Sequence, residues 1–437
     1  MRYKSSRYNI LVKVDGSHLL FNSFRGSLAK IEKEKVGRVK KFLNMEDTMA
    51  RKKSDLFNQL VAGGFIISYE FDEFAYLKLA HLKTKFNTEN LELIIIVTKA
   101  CNFRCSYCCE DTNSNEYITE EMIERLVTFV EAKAQRAKTM LISWFGGEPL
   151  VRFSVIEKLT DHFTKICEKY GCQYAAFLTT NGYLLTSRVA DKLPGLKING
   201  VQITLDGPKH IHDKRRMLKN GRGTYDVLLD NISYIIQKEI SVKVNIRCNV
   251  DMENMAYLKN WLANFPDDLR SKVNIYFCPV TAGGEDKCPA KSRKEVCIHE
   301  DNSRIIPDLM HFALDKGFVL DFKLGGKNVY CNADKLNHFV IGADLSLIAC
   351  PHLMNKIGYI DVNGEAVYNL SKKVNWLSQD PFDGDGSDCK NCKLLPICGG
   401  GCNLPRFTGE RTWCTIFKYD IEEWVRLWYK PQATIVN

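Results

Sequence analysis

The chain has 437 residues, 45% of them apolar, 11% aromatic and 26% charged, the profile of a folded protein with room for two or three domains. No apolar run approaches the length of a membrane span. The basic N-terminal stretch lacks the apolar core of a secretory signal, so the expectation is a cytoplasmic protein without membrane contact. Seventeen cysteines are many for a reducing compartment, where metal ligation accounts for clustered thiols better than disulfides do. Cys167, Cys172 and Cys248 stand apart from the clusters and read as small buried hydrophobes. The net charge is +9, and residues 1–56 hold fourteen Lys/Arg against six Asp/Glu, nearly the whole surplus. A basic segment of this kind suits a negatively charged partner, an acidic peptide or a nucleic acid, with a solvated surface as the plain alternative.

In chain order, residues 1–88 read as a small α+β module. Residues 8–14, the turn pair Asp15-Gly16 and residues 19–22 predict a β-hairpin, and Lys- and Leu-rich helical stretches follow. Residues 89–300 alternate strand and helix. The run 93–97 is wholly apolar, as a parallel strand covered on both faces must be. Strand-like runs recur at 140–144, 175–179, 200–205, 242–249 and 273–277, with amphipathic stretches such as 120–133 and 155–169 between them. About six βα units predict a full or partial (β/α) barrel with its chemistry in loops at the C-terminal strand ends. Residues 301–437 break this rhythm and carry seven cysteines and several Gly-rich turns.

The central motif is Cys101-Asn-Phe-Arg-Cys105-Ser-Tyr-Cys108, directly after the first barrel strand. Three thiolates on one short loop can hold three irons of a cubane and leave the fourth open to a chelating ligand. Phe145-Gly146-Gly147-Glu148-Pro149 follows the second strand, Thr179-Thr180-Asn181-Gly182 the third and Thr204-Leu205-Asp206-Gly207-Pro208 the fourth; His212-Asp213 and Arg216 come next. In order and at strand ends, these motifs resemble those of the radical S-adenosylmethionine (SAM) superfamily. The resemblance implies that Cys101, Cys105 and Cys108 ligate a catalytic [4Fe–4S] cluster whose open iron is chelated by SAM. Electron transfer to SAM then yields a 5′-deoxyadenosyl radical. It further implies that Tyr107 lies at the adenine and that Gly146, Gly147, Glu148 and Pro149 hold the methionine ammonium. Thr180, Asn181, Thr204, Asp206 and Arg216 would line the SAM and substrate side. Cys109 has no ligand role in that family.

A second constellation comprises Cys331, Cys350, Cys389-x2-Cys392-x5-Cys398-x3-Cys402 and Cys414. Four close cysteines alone would fit a structural zinc; after such a core they resemble the SPASM domain, which binds two auxiliary [4Fe–4S] clusters. By that resemblance Cys331, Cys350 and Cys402 serve the first, and Cys389, Cys392, Cys398 and Cys414 the second. The interval from Gly342 to Cys350 is longer than the usual pattern, and the first cluster lacks an evident fourth ligand. Cys278, Cys288, Cys297 or an open iron could complete it.

Together the resemblances imply a partial (β/α)6 TIM-like barrel between an N-terminal α+β peptide-recognition-like module and a C-terminal Cys-rich SPASM domain. They imply hydrogen-atom abstraction from a peptide and formation of a thioether or other side-chain cross-link in a ribosomally made peptide. The partners would be a precursor peptide, its leader bound by the N-terminal module through strand addition, and an external one-electron reductant of flavodoxin or ferredoxin type. One alternative is sulfatase-maturase-like oxidation of a protein Cys or Ser. Another is a zinc-bearing nucleic-acid-binding protein, against which the glycine-glutamate motif counts.

Overall fold

The computed structural model describes residues 2–44, 48–49, 54–108, 114–280, 304–352, 355–383, 388–409 and 414–435. Cys109, Cys288 and Cys297 lie outside the described residues. Two compact units result: one from Met1–Phe86, Phe322–Lys335 and Leu377–Asn437, the other from Asn87–Asp321 and Leu336–Trp376.

The first unit starts with β1 (Arg2–Ser5), β2 (Asn9–Val14), β3 (Ser17–Asn22) and β4 (Ser27–Ile31). The turn between β2 and β3 is the two-residue pair Asp15-Gly16, with Gly16 at φ +69°, the left-handed conformation a tight hairpin requires. β2–β3–β4 form an antiparallel meander. β1 is the middle strand of a second sheet, between β5 (Thr48–Met49) and β6 (Ile66–Ser68). Helices Asp55–Ala62 and Glu73–Lys85 begin at Ser54 and Asp72, whose side chains accept from backbone N–H groups of the first turn. Tyr3, Leu20, Val39, Phe57, Leu60 and Phe65 close one core; Tyr8, Leu77, Phe382 and Leu395 close another. Trp424 of the helix Ile421–Ile435 packs on Phe322 and Phe417, and Trp428 meets Phe21 edge-on. The aromatic face of that final helix is a packing face.

The N-terminal module and the cysteine-rich end are one unit because polar side chains of the former hold main-chain carbonyls of the latter. Arg7 Nη2 donates to Lys390 O at 2.5 Å and Ser23 Oγ to Lys393 O at 2.5 Å. Lys85 Nζ donates to Gln379 O at 2.6 Å, and His81 Nδ1 lies 2.7 Å from Asn328 O. In the other direction, Arg426 Nη2 donates to Lys13 O at 3.0 Å. The first four of these bonds satisfy carbonyls in segments with little regular structure of their own.

The second unit is built on β7 (Asn90–Thr98), β8 (Thr139–Gly146), β9 (Gln173–Thr180), β10 (Ile198–Thr204), β11 (Lys243–Val250) and β12 (Asn274–Pro279), parallel neighbours in sequence order. Helices cross between them, among them Glu120–Ala134, started by the Thr119 cap, and Phe153–Tyr170, ended by Gly171 at φ +69°. Trp144 of β8 is fully buried and stacks on Phe163. This is the partial TIM-like barrel, with its six strands where the sequence places them.

The sheet continues past β7. β13 (His338–Ile341) pairs parallel to β7, and β14 (Ser346–Ile348), β15 (Lys356–Ile360) and β16 (Ala366–Tyr368) follow as an antiparallel meander. The region after residue 301 is therefore shared between the two units, because the short apolar run of β13 finds its partner on the free edge of β7. Arg125 of helix Glu120–Ala134 donates to Ile360 O and Asp361 O at 2.6 and 2.7 Å. Gly364, at φ +77° in the same turn, comes so close that an added Cβ would press on Thr128 and the Arg125 carbonyl. Among the described residues no helix is long and apolar enough to cross a membrane. Gly364→Ala should destabilise the chain by about 1–3 kcal/mol, from left-handed backbone and the clash with that helix together, which urea unfolding would measure.

Candidate active site

The loop carrying Cys101, Cys105 and Cys108 leaves the end of β7 without regular structure. It is held instead by backbone from the segment that follows helix Lys209–Arg215. Arg104 N donates to Met217 O at 3.0 Å and Ser106 N to Arg215 O at 2.9 Å, while Lys219 N donates to Asn102 O at 3.0 Å. Phe103 and Leu218 form the bridge at the centre of this short antiparallel pairing. The sequence marked residues 212–216 as a separate motif; the fold makes the chain just beyond them the mould for the cysteine loop.

The glycine motif at the end of β8 closes the other side. Gly147 N donates to Thr98 O and Glu148 N to Ala100 O, each at 2.9 Å. A Cβ on Gly146 would fall on the Thr98 carbonyl, and one on Gly147 on those of Lys99 and Ala100. These glycines are therefore required for the close approach of two backbones, whatever ligand lies beyond them. Glu148 is fully buried. One of its carboxylate oxygens accepts from Leu150 N at 3.0 Å and Thr180 Oγ1 at 2.7 Å, the other from Asn181 N at 2.6 Å. Burial pushes its carboxyl up against those three hydrogen bonds. It joins the ends of β8 and β9. Asn181 passes the link on, donating from Nδ2 to Asn102 Oδ1 at 2.7 Å and towards Cys101 Sγ at 3.7 Å. Pro149 opens the short 3₁₀ turn that leads into helix Phe153–Tyr170.

Asp206, beyond β10, is the second buried carboxylate. It accepts from Tyr107 Oη at 2.5 Å, Asn249 N at 3.0 Å and Arg215 Nε at 3.4 Å. The Tyr107 hydroxyl in turn accepts from Arg216 Nη1 at 2.7 Å and Asn249 Nδ2 at 3.0 Å. The side chain of Tyr107 thus anchors the last turn of the cysteine loop to the end of β11. Arg215 also pairs with Asp251 at 2.7 Å. Thr204 is buried at the end of β10. Asn249 and Asp251 form part of this network without any sequence motif that marks them, and Arg215 stands at an unassigned position of the 212–216 motif.

Burial raises the Cys101 thiol to about 12, with Glu148, Cys105 and Cys108 adding in the same direction. Such a thiol becomes a thiolate only beside a strong positive charge, and a bound metal supplies one. Phe103 N already points at Cys101 Sγ, 3.4 Å away. Arg216 is buried, and its Nε has no hydrogen-bond acceptor among the described residues. Burial opposes its charge, but nearby Cys105, Tyr107 and Asp206 hold it protonated. A buried cationic N–H without an acceptor, beside Cys105, fits an anionic group there. The three thiols, the glycine cradle and this guanidinium fit an iron–sulfur cluster with a chelating ligand.

In the first unit neighbouring cysteines raise one another's thiols. Cys392 and Cys398 each sense Cys389 and Cys414, whereas Cys402 senses Cys331. Cys350 lies in the second unit, beyond β14, and is buried. Leu394 N approaches Cys392 Sγ at 3.4 Å, the same i to i+2 contact seen at Cys101. Gly399, Gly400 and Gly401 all have positive φ. A Cβ at Gly399 would meet the backbone of Val329 and Tyr330, and one at Gly400 would strike Pro381. The spacer of the Cys398-x3-Cys402 motif is thus glycine by necessity, a signal present in the sequence as three consecutive glycines. Among the described residues no group of three His, Cys, Asp or Glu side chains is set to hold a single metal ion.

Comparison with known proteins agrees with this geometry. Residues 95–262 match the Radical SAM superfamily, so the chain carries a radical SAM domain, whose chemistry uses a [4Fe–4S] cluster and SAM. It is 22% identical to the radical SAM cyclopropyl synthase TigE of Paramaledivibacter caminithermalis, over 91% of this chain and 89% of that protein. It is 25% identical to the cysteine-type anaerobic sulfatase-maturating enzyme of Clostridium novyi, over 76% of this chain and 94% of that one. In fold it is similar to native anSMEcpe solved with bound AdoMet and Kp18Cys peptide, with a TM-score of 0.61, 19% identity and coverage of 79% of this chain and 99% of that one.

Two outcomes follow from the site. Gly147→Ala should lower the iron bound per chain towards that of Cys101→Ala, because the added methyl displaces the loop at Lys99 and Ala100; iron analysis after anaerobic reconstitution reads this. His212, buried under the network, is pushed down to about 4 by burial first and Arg216 second. Its Nδ1 accepts from Asp206 N at 3.3 Å, and its Nε2 lies 3.1 Å from Thr224 Oγ1, whose own hydrogen goes to Arg216 O. That pattern requires the neutral ring with hydrogen on Nε2. A folded-state value below the unfolded one gives stability that is present above about pH 6.5 and lost as pH falls towards 4. Going from pH 7 to pH 5 should cost about 1–2 kcal/mol more in the wild type than in His212→Gln, by urea unfolding at both pH values.

Proposed function

We propose that this chain is a peptide-modifying radical SAM enzyme that forms a thioether or other side-chain cross-link in a ribosomally made peptide. The observation that carries the reading is the first unit: a strand-and-helix module whose meander has β2 and β4 as its edge strands among the described residues, pinned to the cysteine-rich segment. A free edge can take an extended leader as an added strand. The match to TigE supports it, since that similarity runs over 91% of the chain, and the name cyclopropyl synthase describes bond formation between carbons. When bound, cluster and SAM supply the organic radical that takes a hydrogen atom from the substrate. The chain's own residues position the cysteine loop and exclude water through the buried Glu148 and Asp206 networks. Cys101, Cys105 and Cys108 would hold the catalytic cluster. Cys389, Cys392, Cys398 and Cys414 would hold one auxiliary cluster, and Cys331 and Cys402 would contribute to another. An external one-electron reductant is required, of flavodoxin or ferredoxin type.

The second reading, oxidation of a protein Cys or Ser as in sulfatase maturation, is supported by the match that spans 94% of the Clostridium novyi enzyme. That match leaves unaligned a share of this chain comparable to the N-terminal module. Protein purified without oxygen should contain about twelve irons per chain, falling to about eight in the Cys101/Cys105/Cys108→Ala variant. With SAM and dithionite it should release 5′-deoxyadenosine and remove two hydrogens from a short cysteine-containing precursor peptide. Conversion of a sulfatase-derived Cys peptide instead, with the precursor unchanged in mass, would select the second reading. Zinc in place of iron would end both.

A further inference from the structure

Cys331 begins the 3₁₀ turn Asn332–Asp334, and the two ends of that turn hold one another. Cys331 Sγ accepts from Asp334 N, and Asp334 Oδ2 accepts from Cys331 N at 3.2 Å. The other carboxylate oxygen, Oδ1, has no hydrogen-bond partner among the described residues, although Asp334 is only 3% exposed. Burial works against its charge, and Cys331 N, Lys85 and Arg406 favour it. Neither cation donates to Oδ1. Lys85 Nζ donates to Gln379 O at 2.6 Å, and the Arg406 guanidinium donates to Gly400 O and Gly401 O. A buried carboxylate oxygen left without a partner is costly, and it calls for a cation or a water.

A second atom of this kind stands at another cysteine. Asn403 directly follows Cys402 and is 4% exposed, and its Nδ2 has no acceptor among the described residues. Cys402 and Cys331 are neighbours: burial raises the Cys402 thiol, and Cys331 and Asp334 add in the same direction. Each thiol also receives the N–H of the residue two positions on, from Ala333 and Leu404. That is the contact made at Cys101 and Cys392. The two unpartnered atoms are opposite in kind, an acceptor beside one thiol and a donor beside the other. An iron satisfies the first, and a cluster sulfide satisfies the second. Each iron of a cubane takes its own protein ligand, so these side chains need not converge on one point as they would on a single ion.

We infer that Asp334 is an oxygen ligand to the auxiliary cluster that Cys331 and Cys402 serve, and that Asn403 Nδ2 donates to a sulfur of that cluster. The inference rests on the auxiliary-cluster part of the proposed function. It fills the fourth place for which Cys278, Cys288, Cys297 and an open iron were the candidates. A ligand poorer in electrons than thiolate raises a cluster's potential, and so does a hydrogen bond to its sulfur. Both residues therefore make this cluster easier to reduce than one ligated by cysteines alone.

The test uses the full chain with Cys101, Cys105 and Cys108 changed to Ala, reconstituted without oxygen, so that only auxiliary clusters contribute. Iron content, EPR of the oxidised and reduced protein, and a redox titration are the readouts. This parent should hold about eight irons per chain. D334A should hold about seven, with the EPR signal of an oxidised three-iron cluster, or about four if the whole cluster leaves. D334N keeps an acceptor for Cys331 N but lacks the anionic oxygen, and it should lose iron in the same way. D334C should restore about eight irons, with a midpoint potential below the parent's. N403L should keep its iron and also lower the potential, and D268N, at an exposed site of the second unit, should change nothing. Iron and spectra of D334N equal to the parent's would overturn the assignment, since Asp334 would then only cap Cys331 or hold a water. Iron lost in D334A and not restored in D334C would overturn it as well, as a damaged turn. The two readings fail separately. A parent with only about four irons removes this cluster and its ligand together, whereas about eight irons with D334N unchanged removes the ligand alone.

Discussion

The constraint on which this structure rests is that an eight-residue loop with three cysteines has no regular structure and must be held by its surroundings. Backbone pairing with residues 215–219 supplies one wall, and the end of β8 supplies the other through two glycines that tolerate no Cβ. The two buried carboxylates serve the same purpose: Glu148 ties β8 to β9, and Asp206 ties β10 to the loop through Tyr107. The motifs that recur at successive strand ends are thus parts of one scaffold. A carboxylate without solvent is costly unless its oxygens are occupied, and the protein's own N–H and O–H groups occupy both.

Much of the barrel was legible because parallel strands covered on both faces must be apolar throughout, as residues 93–97 are, and because each functional motif directly follows such a run. The hairpin was legible from Asp15-Gly16, a local signal. The extension of the sheet by β13 to β16 was not, since β13 is four residues long and its identity as a strand depends on the edge of β7, some 240 positions earlier. The union of the two chain ends was equally hidden. It is made by side-chain donors meeting carbonyls, as at Arg7 and Lys390, and such contacts leave no periodic trace.

The site divides the same way. The cysteines announce themselves by spacing, and two of the network's residues do not: Asn249 and Asp251 matter through position alone. The glycines carry a further role that the sequence did not show: Gly146 and Gly147 let two strand ends touch. Gly399 repeats the device in the other unit, where an added Cβ would meet the backbone of Val329 and Tyr330.

Because its first 86 residues complete their fold only with segments near the other end, the first unit is discontinuous in the order of synthesis. On the ribosome, Arg7 and Ser23 must wait for Lys390 and Lys393, an interval of roughly 20–75 s at ordinary elongation rates. The intervening sheet unit, by contrast, can begin to assemble strand by strand as it emerges. Closing so long a loop carries an entropic cost that grows only slowly with its length, so the delay is kinetic more than energetic. During that time the N-terminal module lacks its cover over Tyr8 and Leu77, and its apolar surface is open to chaperones. The cysteine loops from Cys389 onward are thereby made only after all six barrel strands.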